Sequence, residues 1–472
     1  MSRKIIGMLS MGVLLLVGLS LFGCASSDEA AESQPYAVLS MNNGTTGFEP
    51  HIVKGGVVTL LKDINVGPDS SNPNNYILFN GKLYFTADDG THGRELWVTD
   101  GTVVGTTLFM GFVAGVNGSD PQYFTVCNGK LYFVAADATY GADFWVTDGT
   151  VAGTTMLKDL KEGMNPLYVT EFTAFNGKIY FGFFDFAYGG ELWVSDGTIA
   201  GTALFKDLNP GVNGSSPQNF TILNDKLYFS AYDLANGYEL WVSDGTVAGT
   251  TLLKDINPGM SDSEPSGYTV YNGKLYFKAY DSTNNLELWV SDGTVAGTTL
   301  LKDIFPGASG GSYPSGFTVY NGKLFFQAYD GTNGFELWIS DGTVAGTTLF
   351  IDINPGANSS SPYDFTPCNG KLFFQAAEET TLDELWVSDG TVAGTILLKD
   401  INPGVNSSYP HSLQFLATQG QAYVSEDVKG YIFVANDGIH GDELWSSDGT
   451  VVGTKIIMDF NPGPGGGVNY GF

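Results

Sequence analysis

Apolar and aromatic residues run along most of this chain in short stretches, each bounded by Gly, Asn, Asp or Pro. Residues 265–307 hold one full cycle. "PSGYTVY" is a short β-rich run, and Asn272-Gly273 after it is a strong two-residue hairpin signal, because a type I′ turn needs positive φ twice. "KLYFKAYD" is a second run, "STNNL" a turn, "ELWVS" a third run, "DGTVAG" a turn and "TTLLKDI" a fourth run broken by "FPG". The cycle predicts four antiparallel strands. Leu275 and Phe277 point to one face of the second strand and Tyr276 to the other, so both faces are apolar and the sheet is expected between neighbours on both sides. No segment sustains a period of about 3.6, so helix should be nearly absent.

The cycle repeats. All eight tryptophans sit in it, at Trp97, Trp145, Trp193, Trp241, Trp289, Trp338, Trp386 and Trp445, with spacings of 48, 48, 48, 48, 49, 48 and 59. A fixed period of strand-like content predicts an all-β, eight-bladed β-propeller of four-stranded antiparallel blades. A two-layer sandwich gives no reason for one period held eight times. In a ring, each blade buries its large side chains by docking on the next, and Trp offers a large flat contact with an N–H for a backbone acceptor. The turn aspartates Asp100, Asp148, Asp196, Asp244, Asp292, Asp341, Asp389 and Asp448 are expected to accept backbone N–H bonds in their own turns, beside a Gly that allows positive φ. Identical copies argue for structural roles.

The boundaries read as a signal peptide over 1–23, a lipidated Cys24 with tether and N-terminal segment over 24–56, the propeller over 57–466 and a tail over 467–472. Ring closure is open at this level. "TLLKDI" at 59–64 and "TKIIMDF" at 454–460 make nine fourth strands for eight copies of the other three, so one terminal strand is expected to latch the ring. The eighth repeat carries about eleven extra residues around Thr418–Lys429, expected beside the Ser-Asp-Gly-Thr turns either as a contact loop for a partner or as a disordered insertion.

Arg3 and Lys4 precede an apolar run from Ile5 to Phe22, and Leu21-Phe22-Gly23-Cys24 resembles the lipobox of bacterial lipoproteins. The resemblance implies cleavage before Cys24, acylation of its sulfur and export to the envelope, with Ala25-Ser26 suiting an outer membrane. An uncleaved membrane anchor is the alternative. Residues 25–35 read as a flexible tether. The formal charge of −29 argues against nucleic acid and anionic lipid as direct partners and favours solubility, cations or basic partners. Cys127 and Cys368 hold the place where other repeats have Tyr271 and Tyr320, and read as small buried apolar substitutes.

The repeat itself resembles the bacterial ELWxxDGT repeat family over residues 57–466, which implies an exported propeller and little about activity. "AYDGTNGFELW" places Ala328, Asp330, Gly334 and Trp338 as in the tryptophan-docking motif of quinoprotein propellers, and Ala87, Asp89, Gly93 and Trp97 repeat the spacing. The Ser-Asp-Gly-Thr turn is similar to an Asp-box. Both likenesses imply structural roles.

Function is less legible. Turns from strand two to three and from four to one share a face, which gathers Asp89, Asp281 and Asp330 with Glu336, and the fourth-strand aspartates Asp207, Asp255, Asp303 and Asp400. These are candidate calcium ligands, although they lack a spaced calcium-loop signature and also suit turn capping. His92 and His440 hold one repeat position and would adjoin if repeats one and eight meet. No nucleophile elbow, phosphate loop or zinc motif is present. The chain therefore reads as a monomeric, lipid-anchored binding or scaffolding module for a protein, glycan or matrix partner. The alternative is an enzyme, a hydrolase or quinoprotein-like oxidoreductase, with its site at the central channel. That alternative requires blade-specific polar residues on the innermost strands.

Overall fold

Blade 5 shows how the repeat folds. Its strands Gln218–Leu223, Lys226–Asp233, Gly237–Ser243 and Thr251–Lys254 pair antiparallel in that order, from the channel outward. The first hairpin turns at Asn224 and Asp225, both at positive φ (48° and 56°), as a type I′ turn requires. In this computed structural model the described residues are 36–468, apart from 55–56, 114, 116, 138–140, 161–168, 308–309, 413–421, 425–429 and 464–465. They form nine such sheets in a propeller ring and no helix.

The core lies between blades. Leu240, Val242, Leu253 and Ile256 of blade 5 form one apolar cluster with Leu275, Phe277, Ala279 and Trp289 of blade 6. The same set recurs one blade on, where Leu288, Val290 and Ile304 meet Leu324, Phe326 and Trp338. Each Trp thus closes a seam. The indole N–H of Trp241 donates to the Ala231 carbonyl on its own second strand at 3.1 Å. At the seam of blades 8 and 9, the Lys399 ammonium lies 5.3 Å from the Trp445 ring.

The ring has nine blades, not the eight expected from the motif count. Blade 1 is built from Tyr36–Asn42, Phe48–Lys54 and Val57–Leu60, which take the second, third and fourth strand places. The propeller therefore takes in strands that lie ahead of residue 57. The first place in blade 1 is filled from far along the chain by Ala422–Val424, which pairs with residues 37–39. That strand belongs to the extra stretch of the eighth repeat, read from sequence as a contact loop or a disordered insertion. Its described part is instead the latch, so closure comes from an inner strand rather than from a terminal outer one. Ala37, Leu39 and Met41 then pack on Val434, Leu444 and Phe460 of blade 9, and Asn42 N–H donates to the Gly467 carbonyl at 2.8 Å. Motif counting missed blade 1 because "FEPHIV" has Pro50 and His51 where Leu-Trp stands elsewhere. Cys127 is a free, buried thiol, as an apolar substitute should be, and Cys368 is buried as well. The sequence signal peptide, Cys24 and the tether lie outside the described residues.

Candidate functional site

The motif residues are bound up in the fold. Glu239 is fully buried. Its Oε2 accepts from Ile256 N–H at 2.7 Å and from the Ser263 hydroxyl at 2.6 Å, and its Oε1 accepts from Asn257 N–H at 3.3 Å. One carboxylate thus ties the third strand to the loop that leads to the next blade. Glu336 does the same with Ile353 N–H, Ser360 N–H and the Ser360 hydroxyl at 2.8, 2.8 and 2.5 Å. Burial outweighs these bonds and raises Glu49, Glu239, Glu336 and Glu443 to about 7.

The Ser-Asp-Gly-Thr turn is a small hydrogen-bonded lattice. Asp244 Oδ1 accepts from Thr246 N–H at 2.8 Å and from its hydroxyl at 2.7 Å, and Thr246 Oγ1 accepts from Gly249 N–H at 2.9 Å. The Thr246 hydroxyl and backbone hold the Asp244 carboxyl below its usual range. Gly249 is needed because a Cβ there would sit 2.2 Å from the Asp244 carboxylate. Each of the other seven turns places its Gly against its Asp at about the same distance.

The calcium candidates sit on the shared turn face, each in its own turn. Asp281 Oδ1 accepts from Thr283 and Asn284 N–H, both at 2.7 Å, and Asp330 Oδ1 accepts from Thr332 and Asn333 N–H, both at 2.8 Å. Asp89 takes Thr91 and His92 N–H with one oxygen and the His92 ring at 2.7 Å with the other. Glu336 is buried away from them in its loop staple. Among the described residues no three His, Cys, Asp or Glu side chains are grouped to hold a metal. The fourth-strand set behaves differently. Asp207, Asp255, Asp303 and Asp400, with Asp63, Asp352 and Asp459, each keep one buried oxygen without a hydrogen bond. His92 and His440 do not adjoin, because blade 1 stands between blades 2 and 9. His440 has its own partner, Asp437, at 2.6 Å.

The channel is where repetition breaks. The second residue of the innermost strand lies at positive φ in Asn75, Tyr123, Asn219, Gly267, Gly316 and Asp364, where the pairing register shifts. Some of these side chains clip the next blade. Asn75 donates to the Pro121 carbonyl at 3.2 Å, and Asp364 accepts from Ser412 N–H and from its hydroxyl, the latter at 2.8 Å. Blades 6 and 7 have only Gly267 and Gly316 there. The wall opens into a cavity of about 580 Å³ whose aromatic lining is Phe220, Tyr268, Phe317, Tyr363 and Phe365. A second cavity of about 420 Å³ adjoins it. Lys278 lines both, together with Asn219 and Ser266. Lys278 is half-buried, and among the described residues no hydrogen bond or ion pair engages its ammonium. Glu264 lines the smaller cavity and Asp364 the larger. Burial raises Asp364 to about 7, against its Ser412 bonds. Sequence reasoning passed over Lys278. The signal was there, since Ser230, Gln327 and Gln375 hold its place in other blades.

No family model and no curated protein sequence matches the chain. Solved structures do resemble it. The computationally designed Ika8 protein is 16% identical with a TM-score of 0.40, covering 73% of this chain and 92% of that one. A puromycin hydrolase is 12% identical with a TM-score of 0.38, over 79% of this chain and 59% of the hydrolase. TolB from Acinetobacter baumannii is 11% identical with a TM-score of 0.30, over 55% of this chain and 62% of TolB.

Proposed function

We propose that this protein is a lipid-anchored binding module of the bacterial envelope, held by Cys24, whose ligand site is the channel wall of blades 5 to 8. The observation that carries the reading is Lys278. An unpartnered ammonium stands between two cavities, in a chain of net charge −29, at the sector where glycines replace the side chains found elsewhere. Aromatic rings beside Asn, Ser and Thr groups suit a flat, hydroxyl-rich body, and the ammonium suits a carboxylate on it. The ligand class is an acidic glycan.

Calorimetry with trigalacturonate tests this. Saturable heat is expected, with affinity falling as salt rises and at least tenfold weaker in Lys278→Met. Neutral maltotriose should bind no better to the wild type than to the variant. Equal binding of trigalacturonate by both proteins, or no heat at all, removes the site. The anchor is tested apart from the ligand, by the intact mass of the mature chain. An acylated Cys24 sulfur cannot also bridge Cys368, so a Cys24–Cys368 disulfide would overturn the anchor.

A hydrolytic reading has one observation in its favour, the Asp364 carboxyl in the larger cavity, raised to about 7 and so suited to acid–base work. The structural glutamates share that shift, so only release of shorter saccharides, lost in Asp364→Asn, would favour it.

A further inference from the structure

We propose that the face carrying the turns between third and fourth strands lies directly on the lipid surface, an inference that rests on the Cys24 anchor proposed above. The register of blade 1 gives the geometry. Tyr36, the first described residue, pairs with Lys54 at the end of the third strand. The chain from Cys24 therefore enters the ring on the face of these turns. Twelve residues, 24–35, separate the anchor from the ring. As a coil they span about 20 Å, and fully extended they reach roughly 40 Å. So short a tether keeps this face near the membrane but does not by itself hold it there.

The turns supply what holds it. Every one of the eight Ser/Thr-Asp-Gly-Thr turns raises an aliphatic residue into solvent, such as Val247, Val295 and Ile199 at 53, 59 and 65% exposed. The turns are copies related by rotation about the ring, so their tips share one plane, and a plane fits a lipid surface better than a rounded partner. The pattern is not uniform. Six turns read Val-Ala or Ile-Ala, and two read Val-Val, at Val103-Val104 and Val451-Val452. Those two belong to blades 2 and 9, which flank blade 1 where the anchored chain enters. Val104 and Val452 are 90 and 92% exposed, so the most lipophilic tips stand nearest the anchor.

Charge is compatible. Hairpin lysines Lys82, Lys130, Lys178, Lys226, Lys274, Lys323 and Lys371 come up on the same face as the turn aspartates, whose carboxyls are held down first by the turn threonines and to a smaller extent by these lysines. Seven lysines stand against the eight turn aspartates and Asp225, so most of the net −29 resides elsewhere. A face close to neutral suits a zwitterionic surface, and Glu264 and Tyr238, which line the smaller cavity, lie toward the opposite face.

The test uses the full chain, processed by its own signal, in phosphatidylethanolamine–phosphatidylcholine vesicles, with the acyl group checked by mass. Amide hydrogen exchange is compared between wild type and Val104→Asp/Val452→Asp. Exchange over 100–106 and 448–454 is expected to be at least fivefold slower in the wild type, with 233–237 and 281–285 on the other face unchanged. Acylated, vesicle-bound wild type whose turns exchange as fast as the variant's would overturn the proposal and leave the anchor standing. Slowing that appears without vesicles assigns the face to a protein partner or a second copy, and also overturns it. An unacylated Cys24 overturns both readings.

Discussion

Blade 5 and blade 1 hold equivalent places in the ring but are secured differently. Blade 5 has Glu239, Trp241 and the Asp244 turn. Blade 1 keeps only the glutamate. Glu49 is fully buried and accepts from Ile64 N–H, Ser71 N–H and the Ser71 hydroxyl at 2.8, 2.8 and 2.7 Å, the same three donors that Glu336 uses. His51 fills the Trp place, buried, its Nδ1 2.9 Å from the Glu49 carbonyl oxygen, and burial lowers its pKa. The difference separates two tasks. The glutamate fixes each blade to its exit loop and is needed in both. The Trp docks one blade on another, and it is dispensable where a strand from the far end of the chain, Ala422–Val424, binds the blade into the ring.

The largest expected effect tests that separation. Trp241→Ala should cost about 3–5 kcal/mol, the usual penalty for truncating a buried aromatic. His51→Ala should cost about 1–2 kcal/mol, because a smaller ring is lost and its hydrogen bond lies within its own segment. Denaturant melts of the two variants decide it. Equal losses would mean that blade 1 is docked through its third strand like the others.

The second effect is a pH dependence shared by both blades. Folding raises Glu49, Glu239, Glu336 and Glu443 from 4.5 to about 7, so the folded chain holds their protons more tightly than the unfolded one. This stabilisation is fully present below about 4.5 and is lost as pH rises through 7, on the order of 3 kcal/mol per carboxyl at most. The turn aspartates have depressed values, and their contribution is lost as pH falls below about 3.8. Melting temperature should therefore peak between pH 4 and 6 and decline toward pH 8. Glu49→Gln and Glu239→Gln should flatten that decline equally. A slope that only Glu239→Gln changes would show that the two staples differ after all.

How much of this was legible follows from the same comparison. The period, the four strands per unit and the lack of helix were written in Trp97 through Trp445, because a residue needed once per seam must recur once per blade. Blade 1 was hidden because its identity lies in pairing, and register with residues 422–424 leaves no motif. Lys278 was hidden differently. It sits on a second strand whose apolar period it barely disturbs, and only the bulges at Gly267 and Gly316 turn that place into a cavity wall. The calcium candidates were legible as positions on one face. Their use could not be read, because a sequence does not show that Asp281 and Asp330 spend Oδ1 on their own turns. A calcium titration of the full chain should accordingly leave its melting temperature unchanged. A saturable shift would point instead to the unbonded oxygens of Asp255 and its equivalents.

Two smaller effects sharpen the contrast between latch and motif. Replacing Ala422–Val424 with three glycines should weaken blade 1 by about 2 kcal/mol, since glycine lowers strand stability without removing the backbone ladder. Limited proteolysis should then cut within 36–60 before any other blade is touched. Cleavage spread over all blades would mean that the latch holds the whole ring rather than one blade. Gly249→Ala should cost about 1–2 kcal/mol through crowding, because its Cβ would meet the Asp244 carboxylate at 2.2 Å. Adding Asp244→Ala removes the obstacle together with the Thr246 bonds. If crowding is the cause, the double variant melts above Gly249→Ala alone. If Asp244 matters chiefly as the acceptor that shapes the turn, the double variant melts below it, and the turn glycine is there to let the aspartate in.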